Sequence, residues 1–592
     1  MRAVLWMGAA IIAALLITFS PLSVSAQTVE ENAPPIVQGD QLRGLPAPTP
    51  GTVADDTPLG VDLARIRIVT DLKAITDGEA ADTIDLSAAG PLLDDEALRR
   101  RLKPYLGAPM TRRMISNIQA DITTFLRGRN RPLVSVTPPP QEISGGSLIL
   151  LVTLFELAEV RTEGNSWSPD DHLTSAIRSP LGEPVDSAQL IEDVNWLNLN
   201  PYRNLGVVFE PGTQPGETDL ILRSNEEATY TLFTGYANSG ASEDDQHRIF
   251  AGATIGNFPL IDAQLSYQFT TSPETLERGR FISAGDQQGF LTHALSMFAP
   301  LQWANGSRGK LSVAASYVSS FSDLATPFTQ DNDAFLLSGE YAVPLTPLGS
   351  IRADVYGAAE YKRQENDVFF AGALVNATEI EVVQGVFGLR GGFATGLSFM
   401  GDGRASFDAS VVISPGGLTG NNDDAAFAAA SGDPNADAHY GIVRGSFTHL
   451  APLTEDVSHR FSSTFQIAQT NLPGIEEFAH GGASSVRGYL TNEASGDDGF
   501  TIRNELVGPA ISLFAGDEGV RDIVQPFGFV DYGWSKDQFA NTTEELAAVG
   551  FGVNVAINDI VSGALVYGHA LTDGPETEAG DHRLFMRLSS RF

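Results

Sequence analysis

The chain contains no cysteine, which excludes disulfides, thiolate metal sites and cysteine nucleophiles. Basic residues are scarce: 37 Lys and Arg stand against 73 Asp and Glu, a formal net charge of −36. A nucleic-acid binder needs a basic footprint, so no nucleic-acid partner is expected. Histidine occurs only 9 times, scattered. With no metal-spaced His pair, Gly-x-Ser-x-Gly elbow or catalytic triad, an exported enzyme is disfavoured, and neither metal nor cofactor is expected. A phosphate-binding Gly-Lys loop is missing as well. After Phe19 no long apolar run occurs, whereas a spanning helix needs ~20 apolar residues. Any part of the mature chain embedded in a membrane must then be a closed barrel.

The N-terminus reads as an export address. Arg2 precedes an apolar stretch from Val4 to Phe19, and Val24-Ser25-Ala26 offers small residues for cleavage, so residues 1–26 are expected to be a signal peptide. Residues 27–60 hold Pro34, Pro35, Pro46, Pro48, Pro50 and Pro58 and read as a linker. Proline inside a helix costs ~3 kcal/mol, which speaks against a long helix there.

From Val61 the pattern becomes regular. Arg65 to Ile68 alternates like a half-buried strand. Asp94 is placed to cap a helix with Leu98, Leu102 and Tyr105 on one face, stopped by Gly107. Thr111 caps a second, with Ile115, Ile118, Ile122 and Phe125 at helical spacing and Gly128 at its end. Strands follow at Leu133–Val136 and Leu148–Leu154. The same order then repeats: a strand at Ala158–Arg161, a helix started by Ser168-Pro169 with Pro at its first position, a second from Ser187 carrying Leu190, Val194 and Leu197, then strands at Gly206–Phe209 and Leu220–Leu222. Two small α/β domains are expected, at 61–155 and 156–225.

Beyond about residue 226 the helical period gives way to period two. In Lys310–Tyr317, Leu311, Val313, Ala315 and Tyr317 share one face; Arg404–Val411 and Arg460–Ile467 alternate likewise. The opposite faces carry Arg, Asp, Ser and Thr. With the export signal, this favours a membrane barrel with a polar lumen over 226–592. Acidic stretches such as Asn421–Asp424 and Ser495–Gly499 read as solvated loops, with a divalent-cation site as the lesser alternative. In the last strand Leu584, Met586, Leu588 and Phe592 oppose Arg583, Arg587 and Arg591, and a terminal Phe592 on such a strand resembles the recognition signal of outer-membrane barrels.

Gly481-Gly482-Ala483-Ser484-Ser485-Val486-Arg487-Gly488-Tyr489 resembles the loop signature of the two-partner secretion transporters (TpsB type; ShlB/FhaC/HecB haemolysin secretion/activation family) and their barrel-assembly relatives. Its core is Val486, Arg487, Gly488 and Tyr489, within a pore loop near 481–495. Gly528-Phe529-Val530-Asp531-Tyr532-Gly533 resembles the family's late-strand motif, whose Asp faces the lumen and meets the loop Arg. Val530, Tyr532 and Trp534 then form the lipid face, while Phe529 and Asp531 point inward. Val136 to Gln141, with Pro140, and then Ile143, Gly145 and Gly146 resemble the family's first polypeptide-transport-associated (POTRA) domain. Asn198–Arg203 with Pro211-Gly212 and Gly216–Leu220 resemble the second.

The resemblance implies a transmembrane antiparallel β-barrel, sixteen strands in the family, preceded by two periplasmic POTRA domains. Sixteen strands allow roughly 23 residues each with loops, compatible with ~9–11-residue spans. It further implies an outer-membrane pore that receives an unfolded TpsA-like exoprotein of haemagglutinin or haemolysin type in the periplasm and passes it to the surface. Arg487 and Asp531 would anchor the loop, helped by Phe529 and Gly533. The other partners would be outer-membrane lipid and, during biogenesis, the barrel-assembly machinery. Two further readings are an outer-membrane protein insertase of the same superfamily and a diffusion porin, which would have no use for two docking domains.

Overall fold

In the computed structural model the described residues are 41–42, 45, 53–71, 73, 83–242, 245–303, 305–324, 327–397, 401–514, 520–558 and 560–592. The expected signal peptide and most of the expected linker lie outside them. The chain divides into two compact units, one N-terminal and one comprising the remainder.

The N-terminal unit contains two small α/β layers. In the first, Ile84–Asp85, Arg65–Val69, Ser147–Leu154 and Val134–Thr137 form a four-stranded sheet in that order. Alternation on Ser147–Leu154 sends Leu148, Leu150 and Val152 into the core, where they meet Leu98 and Leu102 of the helix Glu96–Leu102 and Ile118, Ile122 and Leu126 of the helix Arg112–Arg127. Thr111 caps the longer helix by accepting a hydrogen bond from Met114 N at 3.1 Å. Two local expectations need correction. The cap of the shorter helix is Asp95, whose carboxylate accepts from Ala97 N at 2.6 Å, because Asp94 is turned to an ion pair with Arg99. Pro58–Asp62 is a strand paired with Pro109–Thr111, so the final linker positions are ordered.

The second layer pairs Glu156–Glu163 in parallel with Glu217–Glu226, which pairs antiparallel with Arg203–Pro211. Leu190, Val194 and Leu197 of the helix Ser187–Leu197 pack on Leu205, Leu220 and Leu222. Pro169 is the cap residue of the helix Asp170–Ser175 rather than its first helical residue. Its φ of −64° would suit a helix, but its ψ of 143° is extended, so the residue stands just before the first turn.

The second unit is a closed antiparallel barrel of sixteen strands, from Tyr230–Ala237 to His582–Arg591. Period two sorts its side chains. On Gln264–Thr271, Gln264, Ser266, Gln268 and Thr270 are buried inside, while Tyr267 is exposed outside. On Phe328–Pro344, Gln330 and Asn332 point inward and Phe335, Leu337, Tyr341 and Val343 outward. A polar interior beneath an apolar exterior inverts a soluble fold and matches lipid outside and water inside. The barrel closes where the first strand pairs with the last. Phe592 exchanges two backbone hydrogen bonds with Leu232, at 3.0 and 2.8 Å, and its ring is 72% exposed on the outer surface.

The chain enters the barrel at Tyr230 directly from the second small domain. Odd-numbered strands run away from the end at which the first strand starts, and the connection between the eleventh strand, Ser458–Ala468, and the twelfth, Asp498–Val507, belongs to the opposite, far end. Residues 469–497 of that connection turn back into the lumen.

Candidate functional site

The loop between these strands carries a short hairpin, Phe478–His480 with Ala494–Gly496. Gly481 and Gly482 (φ +116° and +89°) follow its first arm, and left-handed backbone of this kind is open to glycine with little strain. The turn delivers Val486, Arg487 and Tyr489 to a site inside the barrel where each is buried.

Arg487 makes the densest set of contacts. Its Nε donates to Asp531 Oδ2 at 2.6 Å and its second terminal nitrogen to Asp531 Oδ1 at 2.7 Å. The backbone N of Arg487 adds a third bond to the same carboxylate at 3.2 Å. Its remaining terminal nitrogen donates to Glu505 Oε1 at 2.6 Å. The guanidinium lies 3.6 Å from the ring centroid of Phe529, two residues along the same inward face. One planar cation thus meets a bidentate carboxylate, a second carboxylate and an aromatic face, which a lysine cannot reproduce. Glu505 also faces Arg460 at 3.0 Å, so the charges form a chain along the wall.

The neighbouring residues set the fit. Gly488 (φ +116°) presses against Ala548, His569 and Ala570 of the wall. Tyr489 Oη lies 2.9 and 2.8 Å from the carbonyl oxygens of Ala547 and Thr572, one of which accepts its single proton. Gly533 leaves room for the loop: a Cβ there would stand 2.6 Å from His480 and 2.8 Å from Val486.

Three contacts of the loop went unread in the sequence. Glu476 is fully buried, 2.7 Å from Lys362 Nζ and 2.8 Å from Arg444, and Gln384 donates to it at 3.3 Å. Glu493 accepts from Leu490 N at 2.7 Å within the loop and from Thr577 N at 2.7 Å in the last far-end connection. Asp497, read above as part of a solvated acidic loop, is 1% exposed and accepts from the backbone N of Leu472 and Gln538. It is buried because its carboxylate closes the base of the folded-back loop. Asn422, in the other acidic stretch, is also buried, donating to Glu381 O at 3.0 Å. Only a hydrophobic partner nearby would have signalled burial in the sequence, and these strings have none.

The POTRA-motif residues lie elsewhere and have local roles. Gln141 bridges like a strand residue, accepting from Ile149 N and donating to Ile149 O, both at 2.7 Å. Gly146 (φ +70°) turns the chain where its carbonyl accepts from Ala64 N at 2.8 Å. Pro140 is exposed.

Residues 359–555 match the family model described as haemolysin secretion/activation protein ShlB/FhaC/HecB, and residues 82–153 match the ShlB-type POTRA domain. The heme/hemopexin transporter protein HuxB of Haemophilus influenzae is 20% identical over 470 residues, 78% of each chain. The outer membrane transporter CdiB of Dickeya dadantii is 21% identical over 68% of this chain and 67% of its own. Among solved structures, CdiB from Escherichia coli superposes with a TM-score of 0.67 at 18% identity, covering 93% of this chain and 94% of that one. BamA from Haemophilus ducreyi gives 0.50 at 14% identity, over 85% of this chain and 98% of that structure. A sixteen-stranded barrel, a ShlB-type POTRA domain and these matches support an outer-membrane two-partner secretion transporter similar to the ShlB/FhaC/HecB proteins, with its POTRA domains in the periplasm.

Proposed function

We propose that this transporter receives one unfolded exoprotein of haemagglutinin or haemolysin type in the periplasm, and that the loop at 469–497 must shift to clear its path. The observation that carries this reading is the folded-back loop, tied by Arg487 to Asp531 and Glu505 inside a closed barrel. Ordering such a loop costs chain entropy, which specific contacts must offset. The residues Val486, Arg487, Gly488 and Tyr489, with Phe529, Asp531 and Gly533 on the wall, act in this reading as the seat of the gate. Residues 61–155 and 156–225 act as docking domains that hold the partner as an extended chain, by strand addition or in an apolar groove. Folding of the partner outside depletes the unfolded form and biases net movement outward. The chain acts as a conduit without a catalytic step, contacts outer-membrane lipid, reaches the membrane through the barrel-assembly machinery and binds no nucleic acid.

The test is secretion of a candidate large exoprotein, sought first in the reading frames beside this gene, in cells with wild-type, deleted or Arg487→Ala transporter at equal barrel level. Loss of export on deletion, with the partner retained in the periplasm, supports the reading. Intact export with depletion of other outer-membrane proteins would make the chain an insertase instead.

A further inference from the structure

The seventh and eighth barrel strands, Arg352–Phe370 and Ala373–Leu397, are 19 and 25 residues long. A tilted membrane-spanning strand needs ~9–11 residues. Their hairpin therefore rises well past the membrane at the far end of the barrel, which in the secretion reading is where the exported chain emerges. The ninth strand, Gly401–Pro415, pairs only with Gly385–Leu397 of the eighth. Above that point the far edge is partly covered. Glu381 N donates to Asn421 O at 3.0 Å, Asn422 Nδ2 donates to Glu381 O at 3.0 Å, and Ser414 Oγ donates to Val383 O.

These bonds fix the direction of the backbone: Glu381 and Val383 turn their polar groups to this edge. By period two, Ala377 and Glu379 do so as well. Among the described residues no backbone partner stands against them on that side. The regular edge ends at Val375, where the pairing with the seventh strand shifts register. Natural edges are usually guarded by lysine or proline. The segment Ala373–Ile380 has neither, and its small Ala377 leaves room for an approaching backbone.

The two faces beside this edge differ in chemistry. The inward face is uncharged and amide-rich: Gln330 donates to Asn366 at 2.7 Å, Gln364 to Asn332 at 3.3 Å, and Thr378 stands directly across from Asn366. The outward face is acidic. Asp331 stands across from Asp367, Asp333 across from Glu365, and Glu365 across from Glu379, with Arg363 as the cation among them. A strand added here would continue both faces. It fits an extended polypeptide with Asn, Gln, Ser or Thr on one face and Lys or Arg on the other.

We propose that the edge at Ala377 and Glu379 receives the emerging exoprotein as an added β-strand and so starts its folding at the cell surface. The exoprotein is the extended chain delivered to this end of the barrel, and unpaired main-chain groups are what it carries to match the edge. The proposal rests on the exoprotein-secretion reading given above.

Ala377→Pro is the discriminating variant. It removes one donor from the free edge without touching the bonds to the seventh strand, and edge positions tolerate proline. The assay follows the exoprotein identified by the secretion test at equal barrel level, scoring total partner outside the cell and the protease-resistant, folded fraction. The expected result is unchanged passage with the folded fraction formed about fivefold more slowly, the weight of one lost backbone hydrogen bond. In parallel, Ala377→Cys, in a chain with no other cysteine, should cross-link to cysteines placed along the partner during export. Unchanged folding kinetics with no cross-link to the partner overturns the proposal. A cross-link only to a second transporter also overturns it, and makes the edge a self-association surface. If wild-type transporter exports no partner, the secretion reading itself fails; normal wild-type export with an inert Ala377→Pro sinks this proposal alone.

Discussion

Lys362 and Glu476 stand 2.7 Å apart with no solvent exposure on either side chain, and Arg444 closes the group at 2.8 Å. Lys362 and Arg444 belong to the seventh and tenth barrel strands, whereas Asp531 and Glu505 belong to the thirteenth and twelfth. The loop is therefore held to two arcs of the wall by two separate ionic groups, at its rising limb and at its tip. Removing one member of a buried pair strands the other charge, at ~3–5 kcal/mol. Glu476→Gln should accordingly loosen the rising limb and raise single-channel conductance in planar bilayers. Combining it with Lys362→Met should restore much of the loss, because the double variant leaves one fewer stranded cation. A double variant as open as the sum of the two single ones would exclude coupling between them.

Arg487→Lys keeps the charge at the tip and loses the fork. A lysine ammonium can reach one carboxylate oxygen but cannot span Asp531, Glu505 and the Phe529 face together. A probe thiol at Val486→Cys, buried in the seated loop, should react with maleimide about tenfold faster in the Arg487→Lys background. That corresponds to about 1.4 kcal/mol, the lower end of what one charge-assisted hydrogen bond contributes. Equal labelling in both backgrounds would mean that charge alone seats the tip.

The contrast between these two groups explains what could be read from the chain alone. Arg487 and Asp531 each sit in a short string that resembles a family motif, so their juxtaposition could be anticipated from motif order. Lys362, Arg444 and Glu476 lie in ordinary alternating strands or an acidic loop. Charges on inward positions are common in a water-filled barrel, and nothing local marks which of them will meet. The barrel itself was legible because period two persists over hundreds of residues. The helix cap at Asp95 was missed by one position because Asp94 and Asp95 have equal capping chemistry, and only the ion pair of Asp94 with Arg99 decides between them.

In the second small α/β layer, Glu226, the last residue of the strand Glu217–Glu226, closes the sheet end onto the segment before the helix Asp170–Ser175. Burial pushes its carboxyl up, but Ser168 Oγ and the backbone N–H groups of Trp167, Ser166 and Ser168 outweigh that, and the net position is below the ordinary carboxylate range. A depressed folded-state pKa contributes stability above the unfolded value of ~4.3, and that stability is lost as pH falls through the folded value. Thermal unfolding of the soluble segment Val37–Ala228 should therefore show a steeper acid limb below about pH 4.3 than its Glu226→Gln variant. Above that pH the variant should be the less stable of the two. Parallel acid limbs would remove Glu226 from the linkage.

The loop tip also depends on a wall residue with no side chain. Gly568 lies on the fifteenth strand, Val561–Ala570, with its inward side against the loop. A Cβ at that position would stand 2.6 Å from Gly488 N and 2.8 Å from Arg487 C, both backbone atoms that cannot swing aside. The strand is firmly paired with both neighbours, so the loop is the part that must yield. Gly568→Ala should displace the tip by a few tenths of an ångström or more, lengthening the Tyr489 contacts to Ala547 and Thr572 and weakening the Arg487 fork. Alanine itself is compatible with an extended strand, so barrel folding, read as heat-modifiable mobility on gels, should survive. The expected outcome is wild-type barrel abundance with higher basal conductance, and the increase should shrink when Arg487→Ala is already present, because the tip is then no longer seated. An unchanged conductance in Gly568→Ala would mean that the loop backbone accommodates the methyl group without leaving its seat.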